Sequence, residues 1–119
     1  MHAHIKSIPA RKQRYNTVGD WQFTHHDGIE VRVTEQADWR HEFLVGLHEL
    51  IEAALCKHRG ISEESVTEFD VAWQGDGEPG DDPAAPYHKE HGYAEGVEMM
   101  MATQLSINWD DYCASVLGS

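Results

Sequence analysis

Positive charge is scarce in this chain. Nine lysines and arginines stand against 21 aspartates and glutamates, for a formal net charge of -12. Proteins that coat nucleic acid or settle on an anionic bilayer present a basic face, so the imbalance argues against a nucleic-acid polymer and against a membrane surface as partner. A small nucleotide stays open, because a bound metal ion inverts the local charge. Cysteine is scarce too: there are two, Cys56 and Cys113, and no C-x-x-C pair. Disulfide-framework, zinc-finger and thioredoxin-like readings are thereby set aside, and both thiols are expected to be reduced. Long apolar runs are missing, so no segment reads as a bilayer span, and the N-terminus has no apolar stretch of the signal-peptide kind. These absences give the expectation of a cytoplasmic protein. With 119 residues and no internal repeat, the chain has room for one domain with one modest core.

What is present divides simply. Residues 1–14 carry Lys6, Arg11, Lys12 and Arg14 and read as a flexible basic N-terminus, with 15–119 as a single globular domain. Trp21 and Phe23 alternate with polar residues, Asp27-Gly28 supplies a turn, and Ile29, Val31 and Val33 alternate again, which predicts a β-hairpin. Asp38 is a suitable N-cap for a helix to about His58, closed by Gly60, with an apolar stripe of Leu44, Leu47, Ile51 and Leu55. Ser62 heads a short helix through Val66 and Phe69, and a second long helix runs from near Pro86 to about Leu105. Asn108 caps a last short helix. Between Gln74 and Pro86 lies a long loop with three of the chain's four prolines, the kind of segment that carries function or moves. The expected class is α+β, an N-terminal hairpin packed on two long helices plus one or two short ones.

The two long helices carry metal-ligand residue types on faces that should point inward. His48 and Glu52 are one helical turn apart, as are His91, Glu95 and Glu98 in pairs, so each set shares a face. His91 and Glu98 fall within the arc of Ala94, Met101, Ala102 and Leu105. Imidazoles and carboxylates buried among such neighbours must be paired, hydrogen-bonded or bound to a metal. The plain alternative is a buried His–Glu hydrogen-bond network without metal. The metal reading takes His48, Glu52, His91 and Glu98 as ligands of one divalent transition metal, with zinc ahead of manganese and iron, since mixed imidazole and carboxylate shells suit these ions better than magnesium or calcium. Glu49 is then the general base that activates water in a metal-dependent hydrolase. Asp81, Asp82, Tyr87 and Glu95 are the candidate substrate-binding residues; for the loop aspartates, helix or turn capping is the competing role. The substrate, a small molecule or a peptide, stays open, and an exposed apolar helix face would allow a homodimer.

Three resemblances accompany this reading. The run His48-Glu49-Leu50-Ile51-Glu52 is similar to the H-E-x-x-H helix of zinc proteases, with a carboxylate where that family has its second histidine. Glu49-x-x-Glu52 and Glu95-x-x-Glu98 resemble the E-x-x-E and E-x-x-D motifs of MazG-type nucleotide pyrophosphohydrolases, which would imply magnesium held by those four acids. The chain departs from that pattern in its second motif, in the separation of the motifs and in its N-terminal hairpin. The combination of Gly19-Asp20-Trp21, His48-Glu49-Leu50-Ile51-Glu52-Ala53, Glu78-Pro79-Gly80-Asp81-Asp82-Pro83 and Ala85-Pro86-Tyr87 resembles small uncharacterised bacteriophage-encoded proteins. That likeness implies a bacterial host cytoplasm and admits a non-enzymatic role, an acidic protein that binds a host factor.

Overall fold

The computed structural model describes residues 1–117 and is of the α+β class. Three strands come first, β1 (His2–Ile8), β2 (Gly19–Thr24) and β3 (Gly28–Thr34). Four helices follow: α1 (Trp39–Arg59), α2 (Glu63–Ala72), α3 (His88–Gln104) and α4 (Trp109–Val116). Single 3-10 turns occur at Ala10–Lys12 and Pro79–Asp81.

The expected hairpin is β2–β3, antiparallel, and its turn places His26 and Asp27 at φ of 61° and 60°. Two successive residues in the left-handed region match the right-handed twist of paired strands, and aspartate tolerates that conformation better than most residues. The flexible N-terminus is corrected. His2–Ile8 is a strand, paired in parallel with β3 along its whole length, so β3 is the middle of a three-stranded sheet. Pairing satisfies the backbone groups on the second edge of β3. Hydropathy gave no sign of it, because every β1 side chain from His2 to Ser7 is exposed.

The helix ends follow the local chemistry. Asp38 accepts the Arg40 N–H at 2.9 Å, and Gly60, at φ 71°, closes α1 by donating to the carbonyls of Cys56 and Lys57. Ser62 and Asn108 cap α2 and α4 by accepting from the N–H groups three residues on. Helix α1 is packed by the sheet and by α3. The core gathers Trp21, Ile29, Val31 and Val33 from the sheet with Leu44, Val45, Ala53 and Cys56 of α1, Val66, Tyr87, Ala102 and Tyr112.

One displacement matters for function. Leu47, Ile51 and Leu55 of the expected stripe are only half-buried, whereas Val45, His48, Glu52 and Cys56 are buried. The polar flank of the predicted helix face is its centre. Helix α3 likewise buries Glu90, His91 and Glu98 beside Ala94 and Ala102, and these small residues let it approach a neighbour closely.

Candidate metal centre

Helices α1 and α3 run past one another so that His48, Glu52 and His91 meet at their interface, each at most 7% exposed. His48 Nε2 lies 3.1 Å from Glu52 Oε2 and 3.2 Å from His91 Nδ1, and His91 Nδ1 lies 3.1 Å from Glu52 Oε2. These atoms form a nearly equilateral triangle. Zinc bonded to nitrogen and oxygen at about 2.0–2.1 Å places tetrahedral ligand atoms about 3.3 Å apart, close to these edges. The three residues are an arrangement that can hold a metal ion.

The outer nitrogens show why the triangle is chemically unusual. His48 Nδ1 is 2.7 Å from Glu98 Oε1, so the N–H that Glu98 accepts is on that nitrogen. His91 Nε2 is 3.0 Å from both Glu78 Oε2 and Asp81 Oδ1, which places its proton there. A neutral imidazole has one N–H. With both protons on the outer side, His48 Nε2, His91 Nδ1 and Glu52 Oε2 face each other as three lone pairs. A shared extra proton serves one edge of that triangle at full strength; a cation serves all three. Carboxylates on the outer nitrogens of metal-binding histidines fix tautomer and orientation in this way.

The electrostatics agree. Burial opposes the charge of Glu52, but the His48 and His91 rings outweigh it and hold the carboxyl down to about 2. Burial likewise disfavours protonation of His91, yet Glu52 and Glu78 raise it to about 10. His48 is raised for the matching reason, against burial, by Glu52 and Glu98. Because His48 Nε2 and His91 Nδ1 are 3.2 Å apart, they cannot both carry a proton, so the cluster as a whole draws one positive charge into its centre.

Neighbouring residues hold the triangle in place. Trp21 Nε1 donates to the other oxygen of Glu52 at 2.9 Å, and the Tyr112 hydroxyl donates to the other oxygen of Glu98. The Pro79–Asp81 turn rests on the His91 ring: a Cβ at Gly80 would lie 2.4 Å from His91 Cγ, so only glycine fits there. His88 Nδ1 pins the same turn by donating to the Gly80 carbonyl at 2.9 Å.

A cavity of about 610 Å³ opens beside the triangle, walled in part by His48, Glu49, Glu52 and His91. Glu49 has no hydrogen-bond or ion-pair partner among the described residues, and its carboxyl is raised well above the ordinary value, first by burial and then by the charge of Glu52. A carboxyl poised in this way suits general acid–base work.

The remaining expected residues divide. Glu98 is near the centre, but on the far nitrogen of His48; it positions that ring and does not share a metal with Nε2. Asp81 and Glu95 stand at His91 Nε2, at 3.0 and 3.7 Å, on the side away from the triangle. With Glu78 they form a second group of potential ligands around that nitrogen. Asp82 caps its own turn by accepting the Ala84 N–H at 2.8 Å. Tyr87 is buried on the cavity wall with its hydroxyl donated to Asp70. Glu49, Glu52, Glu95 and Glu98, the alternative magnesium set, are not gathered on one point: Glu98 and Glu95 serve the outer nitrogens of different histidines.

Three contributors escaped the sequence reading as site residues. Glu78 comes from the loop, and its signal is the turn Glu78-Pro79-Gly80-Asp81, in which two acids flank a rigid Pro-Gly step. Trp21 and Tyr112 arrive from β2 and α4, and nothing local marks them. Beside the centre, Asp70 of α2 accepts from the Tyr15 hydroxyl at 3.0 Å, and burial raises its carboxyl to about 6.

No family model matches the chain, and neither does any curated protein or solved structure among those compared. Among the described residues, no helix is long and apolar enough to cross a membrane.

Proposed function

We propose that His48 Nε2, His91 Nδ1 and Glu52 Oε2 bind one divalent transition metal, zinc ahead of manganese and iron, and that the centre is hydrolytic. The observation that carries the metal is the triangle of three lone-pair atoms, 3.1–3.2 Å on each edge, whose ring protons are committed to carboxylates on the outside. Two histidines and one carboxylate leave a coordination position free, the pattern of catalytic rather than structural zinc. The cavity at His48, Glu49, Glu52 and His91 gives a substrate access to that position.

Hydrolysis is supported by Glu49. It follows His48 directly, lines the same cavity and carries no competing partner. In this role Glu49 would take a proton from the attacking water and return it to the leaving group, and a metal held by His48, Glu52 and His91 would supply Lewis-acid stabilisation of negative charge.

The test is elemental analysis of protein prepared without chelator, beside His48→Ala and Glu52→Gln variants whose fold is checked by circular dichroism. One zinc, manganese or iron per chain in the parent and none in folded variants supports the centre. A folded parent that neither retains nor takes up any of the three metals overturns it. Glu49→Gln should keep the metal and lose turnover across a panel of ester, amide and phosphoester substrates; unchanged turnover removes Glu49 from the reaction.

A further inference from the structure

Strand β1 has two edges, and only one is used. It pairs with β3 in parallel from His2 to Ile8, and among the described residues no strand lies on its other side. The pairing shows which backbone groups are left over. The Ile8 carbonyl accepts from the Glu35 N–H at 2.9 Å, so the backbone groups of Ile8 turn toward β3. Those of successive strand residues turn to opposite edges. His4 and Lys6 therefore go with Ile8, and the N–H and C=O of Ala3, Ile5 and Ser7 point to the free edge. A row of unpaired backbone groups of this kind is a template for another strand.

The side chains beside that edge favour a particular occupant. The strand holds no proline and no acid, in a chain whose net charge is -12. Two copies can therefore approach here without setting strand carboxylate against strand carboxylate. Lys6 is of the type that blunts an edge, but it projects on the opposite face from Ile5. Ile5 and Ser7 face α1: a Cβ at Gly46 would lie 2.9 Å from Ile5 Cγ2, and the Ser7 hydroxyl donates to Glu42 at 2.9 Å. Trp39, Phe43 and Leu50 share the helix face of Gly46 by their spacing. Ile5, Phe43 and Trp39 are nevertheless 45%, 43% and 66% exposed, an apolar strip beside the free edge.

We propose that the occupant is a second copy of this chain, added strand to strand, with β1 antiparallel to the partner's β1 about a twofold axis at Ile5. The register is self-complementary. Ile5 lies opposite the partner's Ile5, Ala3 opposite the partner's Ser7, and Ser7 opposite the partner's Ala3. Every residue whose backbone groups face the edge thus meets one whose groups face back, and each pair exchanges two N–H···O=C bonds. The axis stands perpendicular to the sheet, so both α1 helices lie on the same side of one continuous sheet. Ile5, Trp39 and Phe43 of each copy are then covered across the axis. The interface is independent of the metal centre.

Sedimentation equilibrium of the full chain should give twice the chain mass of 13.5 kDa. Ile5→Lys sets two ammonium groups against each other at the axis and should weaken association at least about tenfold. Ile5→Pro removes an N–H that β3 does not use, so it should spare the β1–β3 ladder and separate the copies; it makes the same test if Ile5→Lys does not fold. Amide hydrogen exchange identifies the edge. The Ala3 and Ser7 amides should be protected in the dimeric parent and exposed in Ile5→Lys, while His4 and Lys6 stay protected by β3 in both. A parent that sediments as a monomer at every concentration overturns the proposal and leaves the edge to an extended segment of another protein. A dimer that both variants retain, or one in which the Ala3 and Ser7 amides exchange freely, uses another face and overturns it as well.

Discussion

Helix α1 contributes to two interiors of opposite character. To the apolar core it gives Leu44, Val45 and Ala53, which gather with Val31 and Val33 of β3. To the interface with α3 it gives His48 and Glu52, which meet His91 and Glu98. Burial is similar in both places, but the energetics differ. Apolar groups gain from leaving water wherever they are close-packed. Buried imidazoles and carboxylates lose hydration and recover it only through specific partners. The first interior explains why the chain folds, and the second needs a further reason to exist. The cation proposed for this centre would be that reason, because it would turn three opposed lone pairs into ligands.

The largest expected effect breaks the two interiors apart. With free zinc at about a thousand times its dissociation constant, binding should add about 4 kcal/mol to folding stability. Urea melts of the zinc-loaded protein before and after chelation measure this directly. Glu52→Gln should abolish the increment, since it weakens one corner of the triangle and disturbs both histidines. An increment that survives in Glu52→Gln places the metal elsewhere.

The apolar side should respond in the opposite sense. Leu44 is fully buried, and Leu44→Ala should cost about 3 kcal/mol through lost transfer energy and the cavity left behind. The zinc increment should remain, because the groups that hold the proposed ligands in place are Trp21, Glu78, Asp81 and Glu98, not Leu44. A variant that loses both stability and zinc would show that the two interiors are one cooperative unit.

A smaller effect separates them by pH. Burial raises Asp70 to about 6, against an ordinary value of 3.8; the hydroxyls of Tyr15 and Tyr87 pull it down, while the charges of Glu52 and Asp20 add to the rise. The native protein therefore holds this proton more tightly than the unfolded chain does. Stability due to Asp70 is full below pH about 4, falls as pH rises to about 6 and is level above; the shift alone is worth about 3 kcal/mol, which solvent screening of this partly exposed carboxyl lowers to about 2 kcal/mol. In melts from pH 4 to 7, Asp70→Asn should lack this component. Parallel curves for parent and variant would remove Asp70 as its source.

These contrasts also explain what was legible in the sequence. Helix ends were legible because capping is local: Asp38, Gly60, Ser62 and Asn108 act within four residues of themselves. The β2–β3 hairpin was legible for the same reason. Strand β1 was not, because its partner is distant in sequence and its exposed side chains carry no alternation. The centre was half-legible. A helical wheel gives the face of a residue but not its depth along a neighbour, so His48, Glu52 and His91 were expected together and do meet, while Glu98, expected as a fourth ligand, lies on the outer nitrogen of His48. Glu78 depends on the path of a loop, which helical spacing does not encode.

The smallest expected effect concerns the carboxylates outside His91. Glu78 and Asp81 stand equally close to Nε2, at 3.0 Å, but their side chains are 31% and 59% exposed. Distance alone predicts equal influence, whereas screening by water predicts that the more enclosed acid governs the ring. The hydrogen-bond geometry at Nε2 is met by Asp81, whereas the more enclosed Glu78, together with Glu52, raises the basicity of His91. A more basic imidazole is a stronger ligand, and loss of an outer carboxylate typically lowers metal affinity about tenfold or more. Glu78→Gln should therefore weaken zinc binding about tenfold, and Asp81→Asn by no more than about threefold. Competition against a chromogenic chelator measures both. Equal losses would mean that the turn shifts to let either acid serve the ring; a larger loss for Asp81→Asn would make the exposed acid the one that holds His91.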